Sequence, residues 1–206
     1  MSIQFVRELP SLDLATHIAS LGFVQPVTRV LREDVQNHLS CGQIVYSIED
    51  LSVGKTIGFA LFNELRNLFS VFDWPVLYLN GIILDPHYQG QGIAALAIKQ
   101  AQQETHAIHL ALRTQSLRMW SVGEKLTTDW TPRASLSTPA ALWEVGQRAA
   151  KTVGCDFPVT QGFYGAPLYG AKPTHHNTRL QAWWDSLCNF ERGDAVFCIG
   201  IFPQPN

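Results

Sequence analysis

Charge is scarce in this 206-residue chain: Lys, Arg, Asp and Glu make up 16% of it and nearly cancel, leaving a net −2. No block of Lys and Arg stands out. That argues against a nucleic-acid surface, which needs clustered cations to face phosphates. No apolar run approaches the ~20 residues that a membrane-crossing helix requires. The opening MSIQFVRELP lacks the basic-then-apolar layout of a signal peptide. Cysteine is sparse too. Cys41, Cys155, Cys188 and Cys198 are scattered with no Cys-x-x-Cys, which argues against a disulfide framework or a zinc knuckle and implies reduced thiols in a cytoplasmic setting. There is no repeat, no low-complexity tract, no nucleotide P-loop pattern and no dinucleotide glycine spacing. What the chain has in quantity is apolar residues, 46% of the total. That is enough to bury a core and to exclude disorder, and the length suits one domain or one domain with an extension.

One stretch organises the rest: VLYLNGIILDPHYQGQGIAALAIKQA, residues 76–101. A short apolar run bounded by turn signals, Val76 to Leu84, reads as a buried strand. Asp85-Pro86-His87-Tyr88 ends it, because proline disfavours helix at the residue before it. Gln89-Gly90-Gln91-Gly92 follows. From Ile93 an Ala-rich segment reads as a helix with Ile93, Leu96, Ala97 and Ala101 on one face. A strand, a glycine loop and a helix in that order gather backbone N–H groups and a helix N-terminus at one point, which is an anion-binding arrangement.

Gln89-Gly90-Gln91-Gly92-Ile93-Ala94 resembles the pyrophosphate loop of the GNAT acyltransferase superfamily. The fixed positions of that loop are Arg or Gln, then Gly three residues on, then Gly or Ala two further; Gln89, Gly92 and Ala94 fill them. The strand end at Leu84-Asp85-Pro86 and the helix after Ile93 match as well. The resemblance implies an acyl-CoA-dependent N-acyltransferase, using acetyl-CoA as co-substrate, an amine as acceptor and no metal.

Taken in order, the patterns predict a strand at Ile3–Val6 and helices at Ser11–Leu21 and Val30–Leu39. Strands at Gln43–Ile48 and Thr56–Phe62 precede the organising strand and its helix. A strand at Ile108–Arg113 and a short helix at Leu117–Leu126 come next. These elements alone give an α/β (or α+β) domain with a mixed central sheet flanked by helices. The order is that of the GNAT fold. The resemblance implies a splayed gap between the strands ending at Leu84 and Arg113, in which acyl-CoA lies. The whole chain, residues 1–206, is expected to be one domain, with residues 76–127 as the best-matched cofactor-binding part.

From Thr127 the resemblance fades, and residues 128–192 read as extra helices and loop before a last strand at Ala195–Phe202. Thr138 is placed as an N-cap with Pro139 at the first helical position, and that helix runs to Val153. Residues 155–176 read as loop, and Asn177–Leu187 as a helix capped by Asn177. The insertion is expected to form a lid or side wall over the substrate end.

The resemblance also assigns roles. Backbone groups of Ile82, Ile83 and Leu84 pair with the pantetheine arm. Gln89, Gly90, Gln91, Gly92, Ile93 and Ala94 hold the pyrophosphate. Gln115 and Ser116 stand where the family often has a cofactor-contacting Asn. The family's tyrosine acid is absent, because Gly123 occupies its place and the nearby Trp120 has no useful acidity. By strand periodicity Tyr78, Asn80, Ile82 and Leu84 share a face. Tyr78 and Asn80 are the catalytic candidates, holding a water or, for Tyr78, accepting a proton if its pKa is lowered; the bland reading of Tyr78 is a half-buried strand tyrosine. Glu49, Asp50, Glu64 and Asp73 read as solvated turn residues. His106, His109 and His175-His176 lack the spacing of a zinc site. Trp130, Trp143, Phe163, Tyr164, Tyr169, Trp183 and Trp184 read as a second small core, or else as an aromatic wall for a bulky or cationic substrate. Two functions from different classes stand: an N-acetyltransferase, and a GNAT-like module that binds CoA or another ligand without transfer.

Overall fold

The apolar run Val76–Leu84 is a strand in the computed structural model, which describes residues 1–22, 29–68, 75–134, 137–168 and 171–204. The elements follow in the order β1 (Ile3–Arg7), α1 (Leu12–Gly22), α2 (Arg29–Ser40), β2 (Ile44–Asp50), β3 (Lys55–Leu65) and β4 (Val76–Leu84). A 3-10 turn (Pro86–Tyr88) then leads to α3 (Ile93–Thr105), β5 (His109–Thr114), α4 (Leu117–Leu126) and β6 (Thr128–Thr131). The chain closes with α5 (Ala140–Thr152), β7 (Val159–Thr160), α6 (Thr178–Leu187) and β8 (Ala195–Ile201). Hydrogen-bonded neighbours run β1-β2-β3-β4-β5-β8-β6, with β7 also against β8. Most of the pairings are antiparallel, and helices flank the sheet. The expected elements are present within one to three residues.

The chain divides into two compact units. The first takes residues 1–64 and 79–105, and the second residues 65–78 and 106–206. Strand β4 therefore gives Val76–Tyr78 to the second and Leu79–Leu84 to the first.

The first unit is built on the β1-β2-β3 meander. Its core sets Ala15, Ile18 and Ala19 of α1 and Val35 and Leu39 of α2 against Val45, Phe59 and Leu61. These helix positions recur three to four residues apart, so one stripe of each helix reaches the sheet. The turn between β2 and β3 is tied by the buried Asp50, whose Oδ1 accepts from the amides of Ser2 and Ser52 and from the Ser52 hydroxyl. Those bonds, led by the Ser52 hydroxyl, hold its carboxyl below the usual range. Asp50 is thus a buried anchor rather than a solvated turn residue. Helix α3 buries Ile93, Ala97, Ile98 and Ala101. Leu96, placed on the inward face by the sequence pattern, is 46% exposed; the buried stripe passes through Ile98 instead, which is one residue round the helix from Ala97.

In the second unit β8 is the central strand. It pairs with β5 in register from His109↔Ile201 to Thr114↔Val196, and with β6 and β7. On one face, Leu142, Val145 and Ala149 of α5 pack against Ala111, Phe197, Ile199 and Tyr78. The insertion is therefore bound to the sheet by a core of its own, and most of the aromatic group takes part in packing. Trp130 and Trp184 are fully buried, Trp143 meets Phe157 edge-on at 4.7 Å, and Trp183 meets Trp120 at 5.3 Å. Tyr169 lies outside the described residues, as does Asp73.

Asp194 ties the middle of the insertion, at Gly162, to its last residues, Asn189 and Arg192. Its side chain is fully buried, forms two bonds with Arg192 at 2.6 and 2.7 Å, and accepts from the amides of Gly162 and Asn189. Two expectations fail locally. Thr138 does not cap α5: Pro139 stands at the cap, and the Thr138 hydroxyl pairs with that of Thr131. Strands β6 and β7 were not foreseen, because four and two residues are too short to show an alternating pattern. Asn177 caps α6 as expected, accepting from the amides of Arg179 and Leu180. Among the described residues no helix is long and apolar enough to cross a membrane.

Candidate active site

The glycine loop is positioned from both sides. Asp85 closes β4: its amide donates to Ile57 O of β3, and its carboxylate takes the His87 amide at 3.0 Å and Lys55 Nζ at 2.7 Å. The Lys55 ammonium, together with the His87 amide, holds the Asp85 carboxyl below its usual range. Beyond the 3-10 turn, Gln89 donates to Leu84 O at 3.1 Å and Gln91 to His87 O at 2.7 Å. Both glutamines thus fold back on the loop rather than reach outward. Gly90 and Gly92 have φ of +78° and +81°, and a carbon added at either would meet no atom within 4 Å. Left-handed backbone at both positions suits glycine, and the open space lets a ligand approach the main chain. The Gly92 carbonyl accepts the first α3 bond from Leu96. The amides of a helix's first turn have no partner within the helix and carry the positive end of its dipole.

Along β4, Val76–Leu79 are buried while Asn80–Leu84 are half-buried. The Asn80, Ile82, Ile83 and Leu84 positions therefore lie on an apolar strand that keeps some exposure, in the same unit as Gln89–Ala94. Tyr78, Gln115 and Ser116 belong to the second unit.

Tyr78 is 2% exposed and stacks on Phe197 with ring centres 5.9 Å apart. Burial raises its pKa, outweighing the charge of nearby Arg113, which acts to lower it. The phenol therefore stays protonated near neutral pH and enters chemistry as a donor, not as a proton acceptor. Its hydroxyl is buried and has no hydrogen-bond partner among the described residues. Gln115 is spoken for within its unit. Its Oε1 accepts from the Leu168 amide at 2.7 Å, its Nε2 reaches Phe190 O at 3.4 Å, and its carbonyl takes Trp184 Nε1. Ser116 is the N-cap of α4, and its hydroxyl makes no capping bond.

Gly123 is explained by packing. It is buried on α4, and the first carbon of any side chain there would fall inside the indole of Trp130. A tyrosine cannot occupy that position while Trp130 fills it.

Sequence reasoning passed over Arg113 except as a strand end. It projects from β5 on the face of Ala111, half-buried, with its guanidinium carbon 4.0 Å from the centre of the Phe163 ring. A charged residue at an inward position of an apolar strand was the signal available. Among the described residues no three His, Cys, Asp or Glu side chains are grouped to hold a metal.

Comparison with known proteins bears on this arrangement. Residues 15–123 match the family model described as acetyltransferase (GNAT) family. No curated protein matches. Among solved structures, the ribosomal-protein-S18-alanine N-acetyltransferase from Escherichia coli is 13% identical with a TM-score of 0.53, over 100% of this chain and 96% of that one. The IAA acetyltransferase from Bacillus cereus is 11% identical with a TM-score of 0.54, over 98% and 100%. A Bacillus subtilis acetyltransferase in complex with CoA is 11% identical with a TM-score of 0.53, over 98% and 100%. At these identities the likeness is one of fold.

Proposed function

The chain belongs to the acetyltransferase (GNAT) family, and from that premise we propose that it transfers acetyl from acetyl-CoA to an amine. The observation that carries this reading is the loop from Gln89 to Ala94: two left-handed glycines, open space beside them, and the first turn of α3 behind. The loop itself has no Lys or Arg, so the pyrophosphate would be held by the amides of Gln91 to Ala94 and the helix dipole. Gln89 and Gln91 stiffen the loop through their bonds to Leu84 and His87. Backbone groups of Ile82–Leu84 take the pantetheine arm. When bound, acetyl-CoA supplies the carbonyl carbon that the amine attacks.

The amine must lose a proton. Asn80 of β4 holds a water for that step in this proposal and does not take the proton itself. The leaving thiolate needs no dedicated acid near neutral pH, since a free thiol has a pKa of about 8.5. The absence of a tyrosine acid then costs about 10²-fold in rate, the low end of the usual range for general-acid catalysis.

A second reading is favoured by one observation, the Trp130 indole lying against Gly123: a module that binds CoA without transfer. Thiol release from acetyl-CoA over a panel of amines separates the two. Release dependent on protein and amine supports the transferase. Tight CoA binding with no release from any amine supports the module.

A further inference from the structure

Two polar groups of the second unit lack what their chemistry asks for. Arg113 is half-buried, yet among the described residues no carboxylate lies within ion-pair distance of it. Its contacts are the Phe163 ring at 4.0 Å, the Tyr164 ring at 5.7 Å, the Tyr164 hydroxyl at 3.4 Å from Nε, and the Cys155 thiol at 3.6 Å from Nη1. All are neutral groups. A guanidinium withdrawn from water normally finds an anion, because desolvation costs several kcal/mol that neutral contacts only partly offset. Tyr78, buried within electrostatic range of Arg113, has a hydroxyl with no acceptor among the described residues, and such an orphan is itself unfavourable.

One ligand chemistry meets both needs. We propose that Arg113, supported by the Tyr78 hydroxyl, binds a carboxylate of the acceptor, so that the acceptor is an amine that also carries a carboxylate. This rests on the transferase reading and narrows it to amino-acid-like substrates. A carboxylate fits better than a phosphate, because the cluster holds a single cation and a dianion calls for more. The guanidinium fork matches two carboxylate oxygens, and its flat face is already steadied by Phe163. The contact at Nη1 is a weak one to sulfur, and Nη2 makes no hydrogen bond among the described residues, so the outer edge of the fork is available. The same geometry disfavours a cationic substrate here, since the aromatic surface of Phe163 and Tyr164 already faces a cation of the protein itself.

The test uses binding, so that it does not depend on turnover. N-acetylphenylalanine and N-acetylglycine, and the amide of each, are titrated into the full chain with CoA present, and dissociation constants are measured by calorimetry. Wild type should bind at least one acid at least tenfold tighter than its amide. Arg113→Gln should erase that preference, and Arg113→Lys, the more conservative change, should keep part of it. Tyr78→Phe should weaken the acid several-fold without lowering the melting temperature of the unliganded protein, because the hydroxyl loses no protein partner. Equal binding of acids and amides, binding of neither, or a preference that survives Arg113→Gln overturns the proposal. Thiol release judges the other claim separately: an Arg113-dependent acid preference with no acetylation of any amine would uphold this site and overturn the transferase reading.

Discussion

Single residues here hold loops rather than build layers, and Asp194 shows how. Its carboxylate, fully buried, is held down to about 2, first by the Arg192 bonds and then by the amides of Gly162 and Asn189. A folded-state pKa below the ordinary 3.8 means a contribution that is complete above about pH 4. It is lost as pH falls through about 2. Arg192 is half-exposed, so solvent screens the pair and its contribution is smaller than the shift alone implies. Asp194→Asn should cost about 2 kcal/mol at pH 7, because two backbone donors and a guanidinium lose their charged acceptor. Urea unfolding at pH 7, 4 and 2.5 checks this. The gap between wild type and variant should stay constant from 7 to 4 and narrow by 2.5; a gap that is flat across all three would remove the linkage.

Among the elements, α4, β6 and β8 form one interlocked set. The Trp130 indole of β6 lies against Gly123 of α4 and Gly200 of β8, at places where a side-chain carbon on either glycine would collide with it. This packing ties a four-residue strand to its neighbours, and it also removes the position where the family often carries its tyrosine acid. Gly123→Ala raises helix propensity in α4 by about 1 kcal/mol, yet it must displace a buried ring, and overpacking costs about 1–3 kcal/mol. Thermal unfolding should therefore show a net loss of stability. A gain would mean that the indole has room to move and that Gly123 is not fixed by packing. The loop before α3 behaves differently. Its glycines have open space around them, so their requirement comes from backbone angle and from access, not from a neighbour.

At the scale of the whole molecule, ligand binding should be visible as stability. Acetyl-CoA at a hundred times its dissociation constant adds about 2.7 kcal/mol to a protein that binds it only when folded. For about 200 residues that is a rise of roughly 5–10 °C in melting temperature. Gly92→Asp places a negative charge and bulk at the loop, and should abolish the rise. At φ +81° the variant also carries backbone strain, so its unliganded melting temperature should fall. Gly92→Ala carries the strain without the charge, and should keep a larger share of the ligand-induced rise. If Gly92→Asp shifts as much as wild type, CoA is held elsewhere. If wild type does not shift with acetyl-CoA, CoA or longer acyl-CoAs, both functional readings fail.

What the sequence determined by itself is whatever depends on neighbours along the chain. The strand at Val76–Leu84, the glycine loop, the helix from Ile93 and the Asn177 cap were legible because apolar period, turn residues and capping side chains act within a few positions. Family membership followed from the same local pattern around Gln89, Gly92 and Ala94. The tertiary structure decided what depends on residues far apart in sequence. It turned the buried stripe of α3 from Leu96 to Ile98, buried Asp50, and moved Thr138 from a cap to a partner of Thr131. It filled the Gly123 position with a ring seven residues on, and it engaged the Gln115 side chain with loops more than fifty residues away. It surrounded Arg113, among the described residues, with the Phe163 and Tyr164 rings, the Tyr164 hydroxyl and the Cys155 thiol. No local pattern encodes these outcomes, because each rests on which surfaces come to share one interior: a charge, a hydroxyl or a missing side chain takes its meaning only from the atoms packed around it.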